Sequence, residues 1–147
     1  MKMISKSLLA AVTLPLILTA CQSTGDEVQI TAQDLQHHNW ELTQVDGKDV
    51  VKNERLRTPN LEIGEKMIAN GNAGCNNFFG QAEVKDNKFR IEKMGKTMKM
   101  CIGDIMDTEQ AVSQTLQDWS DMTLTKDSLV LKNDVHTLTF KLSDHMN

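Results

Sequence analysis

The sequence is poor in the residues that mark several specialised classes of protein. Its 147 residues include no tyrosine, two prolines, three cysteines and only 4% aromatic side chains. Because 20 acidic residues outnumber 16 basic ones, the chain lacks the basic excess that duplex nucleic acid normally requires, and we predict no nucleic-acid partner. With 39% apolar and 24% charged residues, the composition is that of one ordinary folded domain.

Motifs of common enzymes are also missing. The chain contains no Gly-x-Ser-x-Gly elbow, no His-Glu-x-x-His, no phosphate-binding glycine loop and no dinucleotide fingerprint. No motif brings a nucleophile, a base and an orienting group together. We therefore predict a protein that is not an enzyme and that carries no cofactor.

The first 20 residues are typical of an export signal. Lys2 and Lys6 provide a positive start, and residues 7–20 form an apolar run without acidic residues. A run of 14 residues that contains Pro15 is too short to cross a bilayer as a helix. This favours a signal that is removed over a membrane-spanning anchor.

The signal ends in Leu18-Thr19-Ala20-Cys21, which resembles the lipobox of bacterial lipoproteins. In such proteins the cysteine thiol receives diacylglycerol, and each buried methylene of an acyl chain stabilises membrane attachment by about 0.8 kcal/mol. Gln22 occupies the position where an aspartate would favour the inner membrane. We predict that Cys21 is lipidated and holds the protein on the periplasmic face of the outer membrane; the alternative is a plain secretory signal beside an unrelated cysteine.

Residues 21–36 are predicted to be the lipidated cysteine and a flexible tether. The tether, residues 22–36, is polar and shows little apolar periodicity. Without residues 1–20, 14 basic and 20 acidic side chains remain, a net charge of −6. An acidic surface avoids anionic lipid headgroups. The short tether would hold the domain of residues 37–147 close to the bilayer while leaving it free to turn.

If Cys21 is lipidated, Cys75 and Cys101 are the remaining cysteines, in an oxidising compartment where paired thiols tend to form a disulfide. At their separation in the chain, a disulfide would add about 3.5 kcal/mol of stability in the chain-entropy treatment. The alternative is two buried free thiols that pack as small hydrophobic groups. The absence of Cys-x-x-Cys disfavours a redox-active pair.

Apolar and polar residues alternate through most of the remaining chain, the pattern of half-buried strands. The eight alternating segments start near Trp40, Leu61, Met67, Phe78, Phe89, Met122, Leu129 and His136. Asp46-Gly47 and Asp86-Asn87 favour hairpin turns, and residues 50–60 indicate a long loop.

One segment follows a helical period instead. Residues 105, 108, 112, 115, 116 and 119 are apolar or small and share one helical face. Asp104 and Asp107 stand near its start, where acids accept backbone amides and complement the helix dipole. One amphipathic helix among about eight strands predicts a mainly β (α+β) fold, with the helix covering an open end or edge of a curled antiparallel sheet.

Several motifs are similar to those of the META domain family. They are Trp40-x-Leu42 with Asp46-Gly47-Lys48, Gly74-Cys75-Asn76-Asn77-Phe78-Phe79-Gly80, Thr97-Met98-Lys99-Met100-Cys101, Glu109 and Leu138-Thr139-Phe140. The family motif is carried most specifically by Gly74, Cys75, Asn76, Gly80, Thr97 and Cys101. The resemblance implies a small, partly open antiparallel β-barrel of lipocalin-like topology with one helix. It also implies an envelope protein linked to heat shock and drug stress, without established catalytic activity. Ala82 and Lys99 depart from the family pattern, which has an aromatic residue and a methionine there.

The glycines around Cys75 indicate a sharp bend at a barrel corner, because glycine permits positive φ and close backbone approach. Asn76 can hydrogen-bond the neighbouring backbone in such a bend, and a contact to a ligand is the alternative role.

No metal site is predicted, although Met94, Met98, Met100 and Cys101 carry sulfur groups that suit monovalent copper. On a strand Met98 and Met100 share one face, and we favour flexible core packing for them. His37 and His38 would face opposite sides of a strand, and His136 is expected in the core or at its rim. A zinc site lacks its further ligands.

Two functions remain as hypotheses. In the first, the protein is a monomeric binding module whose sheet edges or barrel mouth engage an unknown protein of the envelope. In the second, the barrel interior carries an apolar ligand or copper. Five bulky inward positions, Trp40, Leu42, Phe78, Phe89 and Phe140, predict a filled interior, which favours the first.

Overall fold

The computed structural model describes residues 28–144. In chain order its elements are α1 (Ala32–Leu35), β1 (His38–Val45), β2 (Lys48–Asp49), β3 (Asn60–Ile63), a 3-10 turn (Glu65–Met67), β4 (Ile68–Asn72), β5 (Asn77–Lys85), β6 (Lys88–Lys96), α2 (Asp104–Gln117), β7 (Ser120–Leu124), β8 (Ser128–Lys132) and β9 (Thr137–Leu142).

Eight of the described strands form a closed antiparallel barrel. β1 pairs with β3, each later strand pairs with the next one along the chain, and β9 returns to pair with β1. This up-and-down order is the lipocalin-like topology and confirms the predicted mainly β fold. The barrel is closed rather than partly open, because β1 and β9 are matched from Trp40↔Leu142 to Val45↔Leu138. The two-residue β2 is an addition to β1.

The seam between β6 and β7 is short. Only Lys88↔Asp121 and Phe89↔Ser120 are matched there. α2 packs chiefly against β6, and its Leu116 is fully buried. The helix therefore shields a strand that has few hydrogen-bonded partners on one side.

Inward side chains fill the barrel. Trp40, Leu42, Phe78, Phe89 and Phe140 are each at most 2% exposed, as the alternation predicts. Leu35 of α1 and Leu116 of α2 join the same hydrophobic cluster, so both helices contribute to one core. The interior is a packed core, as is usual for an eight-stranded barrel of this size.

The chain enters the domain at the end of the barrel opposite to the start of α2. Ile30 N–H donates to Asn87 Oδ1 at 2.7 Å, and Asn87 Nδ2 donates to Val28 O at 3.1 Å. From that turn β6 runs to Lys96, a length of roughly 26 Å at about 3.3 Å per residue. We call the end at Asn87 the entry end and the end at Lys96 the far end.

Three element boundaries differ from the predicted ones. α2 ends at Gln117, so Trp119 lies beyond the helix, where the Arg90 guanidinium stacks 4.7 Å from its ring centroid. Residues 65–67 form a 3-10 turn before β4. Leu35 is fully buried and Ile30 packs against the core, so the last residues that the sequence assigns to the tether belong to the packed domain.

Candidate functional site

The turn between β4 and β5 bends where glycines remove side chains. Gly74 has a φ of +139°, and a Cβ there would lie 2.8 Å from Ile105 O in α2. Gly80 lies at a register shift in β5, and a Cβ there would lie 2.5 Å from the Ile91 side chain. Both positions thus require the absence of a side chain, which agrees with the bend predicted around Cys75.

A buried carboxylate from α2 organises this turn. Glu109 is 2% exposed, and its Oε2 accepts hydrogen bonds from the backbone N–H groups of Cys75 (2.9 Å) and Asn76 (2.6 Å). Its Oε1 accepts a bond from Asn76 Nδ2 at 2.7 Å and lies 3.8 Å from Lys96 Nζ. These donors compensate for the loss of hydration of the carboxylate.

The Asn76 side chain joins the turn to the segment that follows β6. Its Oδ1 accepts hydrogen bonds from Lys99 N–H (2.6 Å) and Thr97 Oγ1 (2.9 Å), and its Nδ2 donates to Lys99 O (3.0 Å). The prediction that Asn76 hydrogen-bonds the neighbouring backbone is therefore wrong. Its side-chain amide bonds Thr97 and Lys99, which are more than 20 positions away in the chain. With Glu109, these bonds use both donors and the acceptor of the amide, which leaves a structural role rather than a ligand contact.

Cys75 and Cys101 form a disulfide with their Cα atoms 5.9 Å apart. The alternative of two free thiols is therefore wrong. The disulfide holds the segment after β6 near its C-terminal end, and Asn76 holds it near the middle. We call residues 97–103 the apolar loop.

The apolar loop exposes three large side chains. Met98 is 84% exposed, Met100 is 88% exposed and Ile102 is 98% exposed. The prediction that Met98 and Met100 pack in the core is wrong, because the segment leaves the sheet at Lys96 and its backbone is bound to Asn76. Neighbouring exposed apolar side chains are typical of an interaction surface.

A cleft of about 760 Å³ opens beside the apolar loop, between the chain after β1 and the first turns of α2. Apolar side chains that line it include Val45, Val50, Val51, Leu56, Ile102 and Ile105. Its charged and titratable side chains are Asp46, Asp49, Asp104, Asp107, Lys48 and His136. The cleft lies at the far end and outside the filled interior.

Two of the cleft carboxylates have partners within the domain. Asp46 accepts a hydrogen bond from Thr137 N–H (2.8 Å) and contacts His136 Nδ1 (2.8 Å), and these contacts lower the pKa of its carboxyl group. Asp49 Oδ1 accepts a bond from Gln44 Nε2 at 2.9 Å. Within residues 28–144, the carboxylates of Asp104 and Asp107 have no hydrogen-bond or ion-pair partner.

The structure does not bring the sulfur and histidine candidates into one site. Cys101 cannot offer a thiolate beside Met94, Met98 and Met100, because it is in the disulfide. His37 lies 3.3 Å from Glu65, and His38 contacts Asp144. Across the described residues, no three His, Cys, Asp or Glu side chains are grouped so that they could hold a metal ion.

Cys21, the predicted site of lipidation, lies outside the described residues, as does the whole of the predicted signal.

Five residues of the family motif meet in one corner of the structure: Gly74, Cys75, Asn76, Thr97 and Cys101. The sixth, Gly80, lies further along β5. No helix within residues 28–144 is long and apolar enough to cross a membrane.

Glu109 is one of the residues that resemble the META family, but its pattern in the sequence predicts no role for it, although this residue supports the turn after β4. A signal for it exists, since Glu109 follows Ile105 by four residues and precedes Val112 by three, on the apolar face of the helix. An acidic residue on such a face requires buried partners. The cleft, in contrast, has no signal in local sequence, because its walls come from segments far apart in the chain.

Comparison with known proteins gives consistent results. The family model of the META domain matches residues 33–145. The chain is 32% identical over 143 residues to "Heat shock protein HslJ" of Escherichia coli (strain K12), an alignment that covers 97% of this chain and 99% of that protein. One NMR structure that is 31% identical superposes with a TM-score of 0.70 and covers 81% of this chain and 100% of its own. An NMR structure from Burkholderia xenovorans has the same fold at 20% identity, with a TM-score of 0.65 and coverage of 97% of this chain and 100% of its own.

Proposed function

The chain belongs to the META domain family, and on that premise we propose that it is a lipid-anchored envelope protein that supports the stress response by binding another protein. Its similarity to a heat shock protein over nearly the full length of both chains supports the stress-related role. The proposed activity is binding and not catalysis.

The proposed location rests on the beginning of the sequence. The signal-like residues 1–20, the lipobox and Cys21 support lipidation, and Gln22 supports the outer membrane. The Cys75–Cys101 disulfide supports an oxidising compartment such as the periplasm.

The binding proposal rests on one observation: the side chains of the apolar loop are exposed while its backbone is held in place. Met98, Met100 and Ile102 place apolar surface in water, and the disulfide and Asn76 prevent their backbone from folding back onto the domain. A loop that is already ordered loses little conformational entropy when it binds. Exposed apolar groups on a rigid support are thus suited to a protein interface.

The position of the loop supports a partner in the periplasm rather than the anchoring bilayer. The tether enters the domain at Asn87, whereas the apolar loop follows Lys96 at the far end. The carrier hypothesis has less support, because aromatic and aliphatic side chains fill the barrel interior.

Site-specific photo-crosslinking in cells tests this proposal. We expect a photoreactive residue at Met100 to give a discrete adduct with another envelope protein. The same residue at Lys126, which is exposed in the turn between β7 and β8 at the entry end, is the matched control and should give none. Adducts to lipid alone, no adduct, or native mass spectrometry that detects a small molecule bound inside the barrel would overturn the proposal.

A further inference from the structure

We propose that the cleft at the far end binds a segment of the partner protein that combines apolar side chains with lysine or arginine. This inference rests on the proposed protein-binding function and specifies the chemistry of the partner.

The apolar part of the inference follows from the lining of the cleft. A volume of about 760 Å³ lies within the range of about 300–1,000 Å³ that is usual for ligand sites. Val50, Leu56 and Ile105 line this volume, and Val51 and Ile102 extend apolar surface from it toward the apolar loop. A segment of the partner bound in the cleft would bury its own apolar side chains there. The residues next to that segment would contact Met98 and Met100.

The cationic part follows from the charges around the same surface. Among the described residues that line the cleft, four are aspartates and one is a lysine, so the local charge is negative. Asp104 and Asp107 already complement the positive start of the α2 dipole, which would otherwise favour an anion. A lysine or arginine near these unpartnered carboxylates would gain attraction, whereas an acidic segment would be repelled.

The preceding segment of the chain and an anionic bilayer fit these features less well. Residues 22–27 of the chain are polar and include Asp26 and Glu27, and the chain enters the domain at the opposite end. A bilayer with anionic headgroups would be repelled by the cleft carboxylates. A second copy of the chain could offer its own apolar loop with Lys96 and Lys99, and the test below identifies this outcome.

Peptide binding to the processed lipoprotein in phosphatidylcholine nanodiscs tests the inference, with binding to empty nanodiscs subtracted. The probes are three 12-residue peptides that alternate Leu with Lys, Leu with Glu, and Ser with Lys. We expect the Leu/Lys peptide to bind at least about tenfold more tightly than either of the others, because it alone supplies both chemistries. Equal binding of the Leu/Lys and Leu/Glu peptides, or no binding of any peptide, would overturn the inference.

Two variants with the same change in charge locate the site. Asp104→Asn with Asp107→Asn should weaken Leu/Lys binding about tenfold, whereas Asp118→Asn with Asp127→Asn, away from the cleft, should change it less than twofold. Val51→Ser, at an exposed apolar position, should also weaken binding and provides a second test if the first pair perturbs folding. Unchanged binding in both cleft variants would place the peptide elsewhere and contradict the inference.

The Met100 crosslink separates failure of this inference from failure of the proposed function. If the peptides fail but Met100 still gives an adduct with another protein, the module binds a partner of different chemistry. If Met100 gives no protein adduct, the proposed function fails as well. An adduct between two copies of the chain, with a dimer in analytical ultracentrifugation, would identify the occupant as a second copy and overturn the inference.

Discussion

At the scale of single residues, Glu109 connects α2 to the turn that carries Cys75 and Asn76. Glu109→Gln retains the size of the side chain but replaces one acceptor oxygen with an amino group that faces hydrogen-bond donors. Because a buried donor left without an acceptor costs about 1–3 kcal/mol, we expect the free energy of unfolding to fall by about 2 kcal/mol. Urea denaturation measures this change.

A neighbour on the exposed face of α2 is the control for that experiment. Gln110→Ala should change the free energy of unfolding by less than about 0.5 kcal/mol, as is usual for an exposed surface position. If Glu109→Gln were as mild as this control, the carboxylate would not be the support that its hydrogen bonds indicate.

Asp46 should make stability depend on acidic pH. The hydrogen bond from Thr137 N–H, with the contact to His136, lowers the pKa of Asp46 below its usual value of 3.8. A lowered pKa in the folded state contributes stability that is present above pH 3.8 and is lost as the pH falls through the folded pKa. Since the side chain is half exposed, we expect an effect on the order of 0.5 kcal/mol.

The measurement compares Asp46→Asn with the unchanged protein at pH 6 and at pH 3 by urea denaturation. The difference in free energy of unfolding should be larger at pH 6 and smaller at pH 3. His136 also contacts this carboxylate, and Lys48 lies near it, so His136→Gln at pH 6 separates the contribution of His136 from that of the Thr137 bond and Lys48. A difference that grows toward pH 3 would contradict the assigned direction of the pKa.

At the scale of elements, the disulfide joins the turn after β4 to the apolar loop before α2. Cys75→Ala with Cys101→Ala removes a cross-link between residues 26 positions apart, which the chain-entropy treatment values at about 3.5 kcal/mol. We expect a loss of this order in the free energy of unfolding, together with faster hydrogen exchange at residues 97–103. Cys21→Ser, which leaves the disulfide intact, should not change exchange there.

The alternation of apolar and polar residues predicts the strands well, because each strand has one face in the core and one in solvent. The β5–β6 hairpin illustrates this, with Phe78, Ala82, Phe89 and Ile91 all buried. The apolar loop shows where such reasoning fails, since Met98 and Met100 also alternate but have no sheet beneath them. The hydrogen bonds of Asn76 and the Cys75–Cys101 disulfide decide that outcome, and they join residues more than 20 positions apart.

At the scale of the whole molecule, the family motif and the cleft are parts of one arrangement at the far end. The motif residues fix the apolar loop, and the loop forms one side of the cleft. The motif was visible in the sequence because its residues have unusual types and spacing. The cleft was not, because Val50, Leu56 and Ile105 look like ordinary apolar residues until the fold brings them together.

The location of this arrangement in the cell depends on the proposed anchor, which gives the last prediction. Cys21→Ser removes the thiol that would carry the acyl chains, so the protein should move from the membrane fraction to the soluble periplasmic fraction. Gln22→Asp should keep the acyl chains but shift the protein to the inner membrane, which separates lipidation from sorting. Sucrose-gradient fractionation and intact-mass measurement report both effects. The described chain enters the domain at Asn87, at the end opposite to the cleft, so the proposed anchor would leave the cleft accessible from the periplasm. An unchanged membrane fraction for Cys21→Ser would contradict the proposed anchor.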